Sequence, residues 1–263
     1  MMTLQVTGSY AMRLFVSSLL WLLLCFPCHA EVFDATDDYM RSSFTGVSNY
    51  PFSISAWVYA INDNDARCIT LCDGTASGEY ATIGMGRYGT DSLYMSIRVG
   101  GGEYKLQGDT TNCEDSWNHV VAIWRSKSDR QIYINGASEG TDATDVGDFL
   151  AAVNRFSIGC LDRSSQANYW DGYITEVAIW SSDISTTATN IPLLATSKVK
   201  GMPLQIDPTN LEAYYPLDDV ADGESADGLT YKDRSGNGID LIADDGANNT
   251  GMTARAEEVL SYQ

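Results

Sequence analysis

Between residues 39 and 180, apolar and polar residues alternate in short runs closed by Gly, Asp, Asn or Ser. FSISAWVY at 52–59, WNHVVAIW at 117–124, QIYING at 131–136 and DGYITEVAIW at 171–180 are the clearest. A period of two over such lengths marks a β-strand with one face buried, and the bounding residues are turn formers. The pattern predicts strands at 39–43, 52–60, 68–72, 81–86, 92–99, 104–106, 119–125, 131–135, 156–159 and 173–180. Gly100-Gly101-Gly102 and Asn135-Gly136 suit tight hairpins. No sustained helical period intervenes. The expected fold class is all-β: a two-sheet antiparallel jelly-roll sandwich with a short C-terminal extension.

The ends read differently. Arg13 precedes an apolar run at 14–26, and Cys28-His29-Ala30 leads into Glu31, the layout of a secretory signal peptide cleaved after Ala30. Met12 offers an alternative start. The run is short for a membrane span and no second one follows, so the expected product is exported, extracellular or periplasmic, and not embedded in a membrane. Residues 31–184 form the expected jelly roll and 185–210 a connector. A short irregular helix is expected within 182–198, started or broken by Pro192. Residues 211–263 are expected to add a strand to the same jelly roll, the competing reading being the stump of a second module.

Composition narrows the partners. The chain holds 35 Asp+Glu against 16 Lys+Arg, net −19. Losing Arg13 with the signal leaves 15 − 35, or −20. Such a surface repels phosphate backbones and anionic lipid, which excludes nucleic acid as a partner. Four of the six cysteines lie beyond Ala30: Cys68, Cys72, Cys113 and Cys160. An even number in an exported chain favours two disulfides, and no CxxC pair supports zinc. Cys68 and Cys72, four apart on one strand, are about 13 Å from each other, too far to bridge. Their even spacing puts both on one strand face, each to be linked to Cys113 or Cys160.

In their order and spacing, FSISAWVY, CITLCDG, the WNHVVAIW–QIYING hairpin, FSIGC and YWDGYITEVAIW resemble laminin-G-like modules of the concanavalin A-like lectin/glucanase superfamily. FDATDDYM at 33–40 resembles the family's opening strand. The resemblance implies a jelly roll used mostly for recognition outside the cell, with an extracellular glycan or a surface protein as partner. Pentraxins share the fold and carry a cysteine two residues before Ser-Trp or Thr-Trp. Cys113-Glu-Asp-Ser116-Trp117 has one residue too many, so no pentraxin ligand site carries over. LEAYYPL at 211–217 with Asp233-Arg-Ser-Gly-Asn-Gly238 resembles the segment that usually precedes the opening strand, here displaced to the C-terminus.

Catalytic patterns are missing. No Gly-x-Ser-x-Gly occurs, and His119 alternates with Val121 and Ile123 as a packed histidine would. No Glu-x-Asp-x-Glu supplies the carboxylate pair of the family's glycosidases. Gln131-Ile132-Tyr133 has Tyr where jelly-roll lyases carry His. The expectation is a non-catalytic module. Glu176 stands on an apolar strand face with Ile174, Ala178 and Trp180, and must be paired or metal-bound. Arg41 is the expected partner and calcium the alternative.

Calcium is the one cofactor the sequence suggests, with Glu176 and Asp171 as weak ligands. Oxygen-rich turns occur at Asp73-Gly74, Asp162, Asp171-Gly172, Asp218-Asp219, Asp222-Gly223 and Asp244-Asp245-Gly246. For a glycan, the loop with Asp162, Arg163, Asn168, Tyr169 and Trp170 offers hydrogen-bonding groups beside aromatic rings. Tyr88 and Arg98 would extend that surface. The rival reading packs Trp170 over the sandwich edge.

Overall fold

The computed structural model describes residues 28–62, 65–74, 78–86, 90–148, 153–197, 200–221, 224–244 and 253–257. Two eight-stranded antiparallel sheets face each other. In the first, β10 (Ala137–Asp142), β9 (Asp129–Ile134), β8 (Trp117–Ser126), β3 (Phe52–Ala60), β14 (Asp171–Trp180), β1 (Cys28–Asp34) and β18 (Thr253–Glu257) run side by side, and β15 (Leu211–Tyr215) also pairs with β14. The second has the order β16 (Thr230–Tyr231), β17 (Leu241–Asp244), β2 (Tyr39–Ser43), β11 (Arg155–Ile158), β4 (Ala66–Cys72), β5 (Tyr80–Met85), β6 (Leu93–Val99) and β7 (Gly102–Gln107). The pair β12 (Leu161–Asp162) and β13 (Gln166–Ala167) forms a small ribbon. The fold is the expected all-β sandwich. Among the described residues no helix is long and apolar enough to cross a membrane.

Alternation decides which residues fill the interior. In β3, Phe52, Ile54, Ala56 and Val58 enter the main core, while Ser53 and Ser55 point the other way. Facing them from the second sheet are Ile69, Leu71, Ile83, Met95 and Phe156. The hairpin between β9 and β10 turns through Asn135 and Gly136, at φ 50° and 83°. Positive φ at both central residues is what a two-residue turn of the right twist demands, and Asn-Gly meets it.

The outer face of the first sheet has its own cover. Val121, Ile123, Ala178 and Trp180 pack against Ile184, Ile191, Leu194, Ile206, Leu211 and Tyr214. The segment read as a connector therefore buries a second apolar layer. It contains a seven-residue helix, α1 (Asn190–Thr196), with Pro192 in its first turn, where proline costs no helical hydrogen bond.

The C-terminal segment reaches both sheets. β15 pairs with the C-terminal half of β14, and β17 with β2. Tyr214, Tyr215 and Leu217 are all buried. β14 serves two partners on one side: β1 along residues 171–174 and β15 along 177–180. Between them a bulge puts Glu176 at φ +53°.

Two expectations about strand faces fail at bulges. In β14 the extra residue shifts the parity, so Ile174, Val177 and Ile179 face the core while Ala178 and Trp180 face the outer layer. In β4 the bulge at Cys68 leaves that side chain in the core, whereas Cys72 packs with Tyr80 and Leu161 on the opposite face. Cys68, Cys72, Cys113 and Cys160 are buried free thiols, and the expected disulfides are not formed. Cys68 donates to the Ile83 carbonyl at 3.3 Å and Cys72 to the Asp162 carbonyl at 2.6 Å. Burial pushes the Cys72 thiol up to about 12.

Candidate functional site

The second sheet carries polar side chains on the outer face of β4 to β7. Register brings them together: Tyr80 lies opposite Arg98, and Arg98 opposite Glu103. Thr70 and Thr82 bond across β4 and β5 at 3.0 Å. Against this face lies the loop after β11, whose Asn168 carbonyl accepts from the Arg67 amide at 2.8 Å. Asn168, at φ +55°, also donates its side-chain amide to the Asp65 carbonyl at 3.0 Å.

An open cleft of about 360 Å³ remains between loop and sheet, lined by Asp65, Arg67, Tyr80, Arg98, Glu103 and Arg163, with Gly101, Leu161 and Asn168 at its edges. Gly101, at φ +87° in the β6–β7 turn, is a conformation that side chains resist.

Its floor is an ion cluster on a ring. Arg67, 2% exposed, reaches Asp65 at 2.8 Å and Glu103 at 3.4 Å. Lys105 reaches the same two carboxylates at 3.2 and 3.7 Å. The Tyr94 ring lies 5.0 Å from the Arg67 guanidinium and 4.0 Å from the Lys105 ammonium. Burial, with Arg67 alongside, brings Lys105 down to about 8. Above the floor, Arg163 lies over the Tyr80 ring at 5.6 Å.

Of the loop residues singled out for ligand binding, Arg163 and Asn168 line this cleft and Asp162 and Trp170 do not. Asp162 is fully buried and accepts from Arg155 at 3.0 Å and Gln166 at 2.6 Å, with Arg41 3.9 Å away. Trp170 is also fully buried, within the main core. It is a packing residue, not an exposed stacking platform. Tyr169 stays half-buried outside the cleft lining, its hydroxyl pushed up to about 12, by burial first. Arg98 lies in the cleft, and Tyr88 falls outside the described residues. Sequence reading missed Asp65, in the bend before β4, and Arg67, Tyr80 and Glu103, whose common signal is a polar side chain at the outward position of neighbouring strands.

A second aromatic surface lies on the outer face of the first sheet. Tyr59 packs on Trp117 at 5.8 Å and edge-on to Tyr173 at 5.5 Å, and Trp57 sits beside His119 at 5.2 Å. His119 is the packed residue expected: 1% exposed, its Nε2 3.0 Å from the Ser55 hydroxyl, brought down to about 3 by burial and therefore neutral.

The carboxylates suggested as metal ligands part company. Glu176 is taken up by the Tyr214 hydroxyl, at 2.8 and 3.0 Å, and by the Gly201 amide at 3.3 Å. Its partner is thus Tyr214, not Arg41, which lies beside Asp162 in the other sheet. Burial pushes Glu176 up to about 7 against the pull of Tyr214. Asp171 lies opposite Asp34 across β14 and β1. Among the described residues Asp34, Asp37 and Asp38 bring carboxylate oxygens within 4.8 Å of one another. That turn closes on itself, with the Asp34 amide donating to Asp38 at 3.0 Å and the Thr36 amide to Asp34 at 2.8 Å. Asp222-Gly223 and Asp245-Gly246 lie outside the described residues.

Comparison with known proteins agrees with this architecture. No curated protein sequence matches the chain significantly. A native heptameric SAP-like pentraxin from Limulus polyphemus superposes with a TM-score of 0.60 at 14% identity, over 89% of this chain and 97% of the pentraxin. A candidate carbohydrate-binding protein from Bacteroides ovatus gives 0.59 at 18% identity, over 88% of this chain and 60% of that protein. Domain 4 of the extracellular arabinanase AbnA from Geobacillus stearothermophilus, in complex with arabinotriose, gives 0.52 at 19% identity, over 64% and 76%. At these identities the likeness is one of fold. The model of the concanavalin A-like lectin/glucanases superfamily matches residues 34–188, more than half of the chain. That span takes in most strands of each sheet and the cleft between loop and strand, and the chain belongs to this superfamily.

Proposed function

We propose that this chain is an exported, non-catalytic recognition module that binds carbohydrate in the cleft above β4 to β7. The carrying observation is the cleft itself: rigid strands and one loop hold charged donors, acceptors and the Tyr80 ring around about 360 Å³ of open space. A saccharide offers hydroxyls for such groups. Two structural relatives point the same way, the arabinanase domain holding arabinotriose and the Bacteroides ovatus protein described by carbohydrate binding.

Asp65 and Glu103 both line the cleft, which raises hydrolysis as the rival reading. Each is already engaged by Arg67 and Lys105. Neither is disposed to attack a sugar or to hand it a proton, as the two carboxyl groups of a glycosidase do. Export rests on the apolar run at 14–26 and the acidic composition, and sequencing the N-terminus of the secreted product should give Glu31 first.

A glycan array followed by calorimetry tests the binding site. Asn168→Gly keeps the positive φ, removes the amide, and should weaken binding of the best glycan by roughly 1–3 kcal/mol. Trp117→Ala, on the opposite sheet, should leave affinity unchanged. The reverse pattern would move the site to the aromatic surface, and release of reducing sugar by the wild type would establish an enzyme.

A further inference from the structure

We propose that the sugar bound in the cleft carries an anionic group, a carboxylate or a sulfate ester, received by Arg98 and Arg163. This rests on the reading of the cleft as the saccharide site. With 35 acidic residues to 16 basic ones, an arginine in this chain has many carboxylates to choose from. Arg41, Arg67, Arg125, Arg130, Arg155 and Arg234 each form an ion pair, as do Lys105, Lys127, Lys200 and Lys232. Among the arginines and lysines with described side chains, only Arg98 and Arg163 form none. Both line the same cleft.

A second observation is independent of the first. Arg67 at the floor is 2% exposed, and its Nε has no hydrogen-bond partner although its Nη atoms are taken. The Nε of Arg163 is likewise buried and unpartnered. Buried N–H groups without acceptors are costly, and an oxyanion with two or three oxygens is the acceptor that a guanidinium fork fits best. The nearby carboxylates do not neutralise Arg98 and Arg163, because Asp65 and Glu103 are held by Arg67 and Lys105.

The setting also limits how much charge the ligand carries. The cleft is locally cationic in a strongly acidic protein, so one acid group on an otherwise neutral sugar is drawn in while a dense polyanion is repelled by the rest of the surface.

The test uses the full chain against an array of neutral, uronate-bearing and sulfate-ester glycans, then calorimetry on the best hit and on the same glycan with its acid group methyl-esterified or desulfated. Acidic glycans should bind, and removing the charge should cost at least tenfold in affinity. Arg98→Gln and Arg163→Gln should each cost at least tenfold with the melting temperature unchanged. Arg98→Lys and Arg163→Lys, which keep the charge and lose the fork, should give a smaller loss and serve if a Gln variant fails to fold. Comparing uronate with sulfate ester on one backbone identifies the oxyanion. Neutral glycans binding as tightly as acidic ones, with sensitivity to Asn168→Gly, would overturn the anionic ligand and keep the saccharide site. Acidic-glycan binding indifferent to both arginines would also overturn it, and binding of no glycan would overturn the saccharide site as well.

Discussion

The outer faces of the two sheets are built from the same alternating strands and put to opposite uses. On the first sheet Val121, Ile123, Ala178 and Trp180 are apolar, and residues 184–214 lie over them as an extra layer. On the second sheet the outward positions of β4 to β7 hold Arg67, Tyr80, Tyr94, Arg98, Glu103 and Lys105. A short loop covers part of that face and leaves a cleft. The difference lies in which side chains occupy every second position, since backbone and pairing are alike. One face contributes stability and the other contributes chemistry.

The largest effect that could break this contrast is expected on the apolar face. Trp180 is fully buried, and its Nε1 donates to the Ile206 carbonyl at 2.6 Å. Trp180→Ala should lower unfolding free energy by roughly 3–5 kcal/mol in denaturant titration. Glycan affinity of the folded fraction should stay unchanged. A loss under about 1 kcal/mol would mean that the 184–214 layer is only loosely held.

Next in size is a pH effect at the rim of that layer. Glu176, beside Tyr214, Lys200 and Asp218, has its carboxyl pushed up from 4.5 to about 7 in the fold. The folded state therefore holds a proton that the unfolded chain gives up, and the stability this group contributes is full below pH 4.5 and is lost as pH rises through about 7. The fall should amount to on the order of 2–3 kcal/mol, and Glu176→Gln should remove that part of the slope. Glu31, buried without a hydrogen bond of ordinary geometry and also raised to about 7 by burial, should leave a residual slope in the variant. An identical profile for wild type and Glu176→Gln would contradict the burial of this carboxyl.

The smallest effect sharpens the contrast from the polar side. Arg98 contributes no ion pair among the described residues, so Arg98→Gln should change stability by no more than about 0.5 kcal/mol. Arg130→Gln is the control. That guanidinium is buried, pairs with Asp142 and donates to the Lys127 and Thr144 carbonyls. Its removal leaves the Lys127 and Thr144 carbonyls without their donor beside a partly exposed Asp142, and should cost roughly 1–3 kcal/mol.

The two faces also differ in how far they could be read from the sequence. Strands 39–43 and 52–60 appear as expected, and the other eight within about two residues, because alternation is a local signal. β10, with the sequence ASEGTD, gives no such signal since it is a solvated edge strand with no buried residue. The bulges at Cys68 and Glu176 insert one residue without any mark in composition, and each reverses the face of the residues beyond it in its strand. The cleft was legible only in part. Arg163 and Asn168 stand in a conspicuous loop, but Arg67, Tyr80 and Glu103 come from three separate strands and meet only through register. Trp170 left two readings open, a binding platform or a packed ring, because a tryptophan at a loop end looks the same in sequence whether it faces solvent or core; it is packed.

The divided edge of β14 sets an order of assembly. β15 finds its place by closing a short stretch of chain, pairing Ile179 with Ala213. β1 pairs Glu31 with Ile174, about 140 residues away and roughly four times the distance along the chain. The longer closure costs about 1.2 kcal/mol more in chain entropy, and contacts so distant in sequence form slowly. The first of the described strands to be synthesised is thus among the last to dock, and until it does half of one edge of β14 is open to any other extended chain.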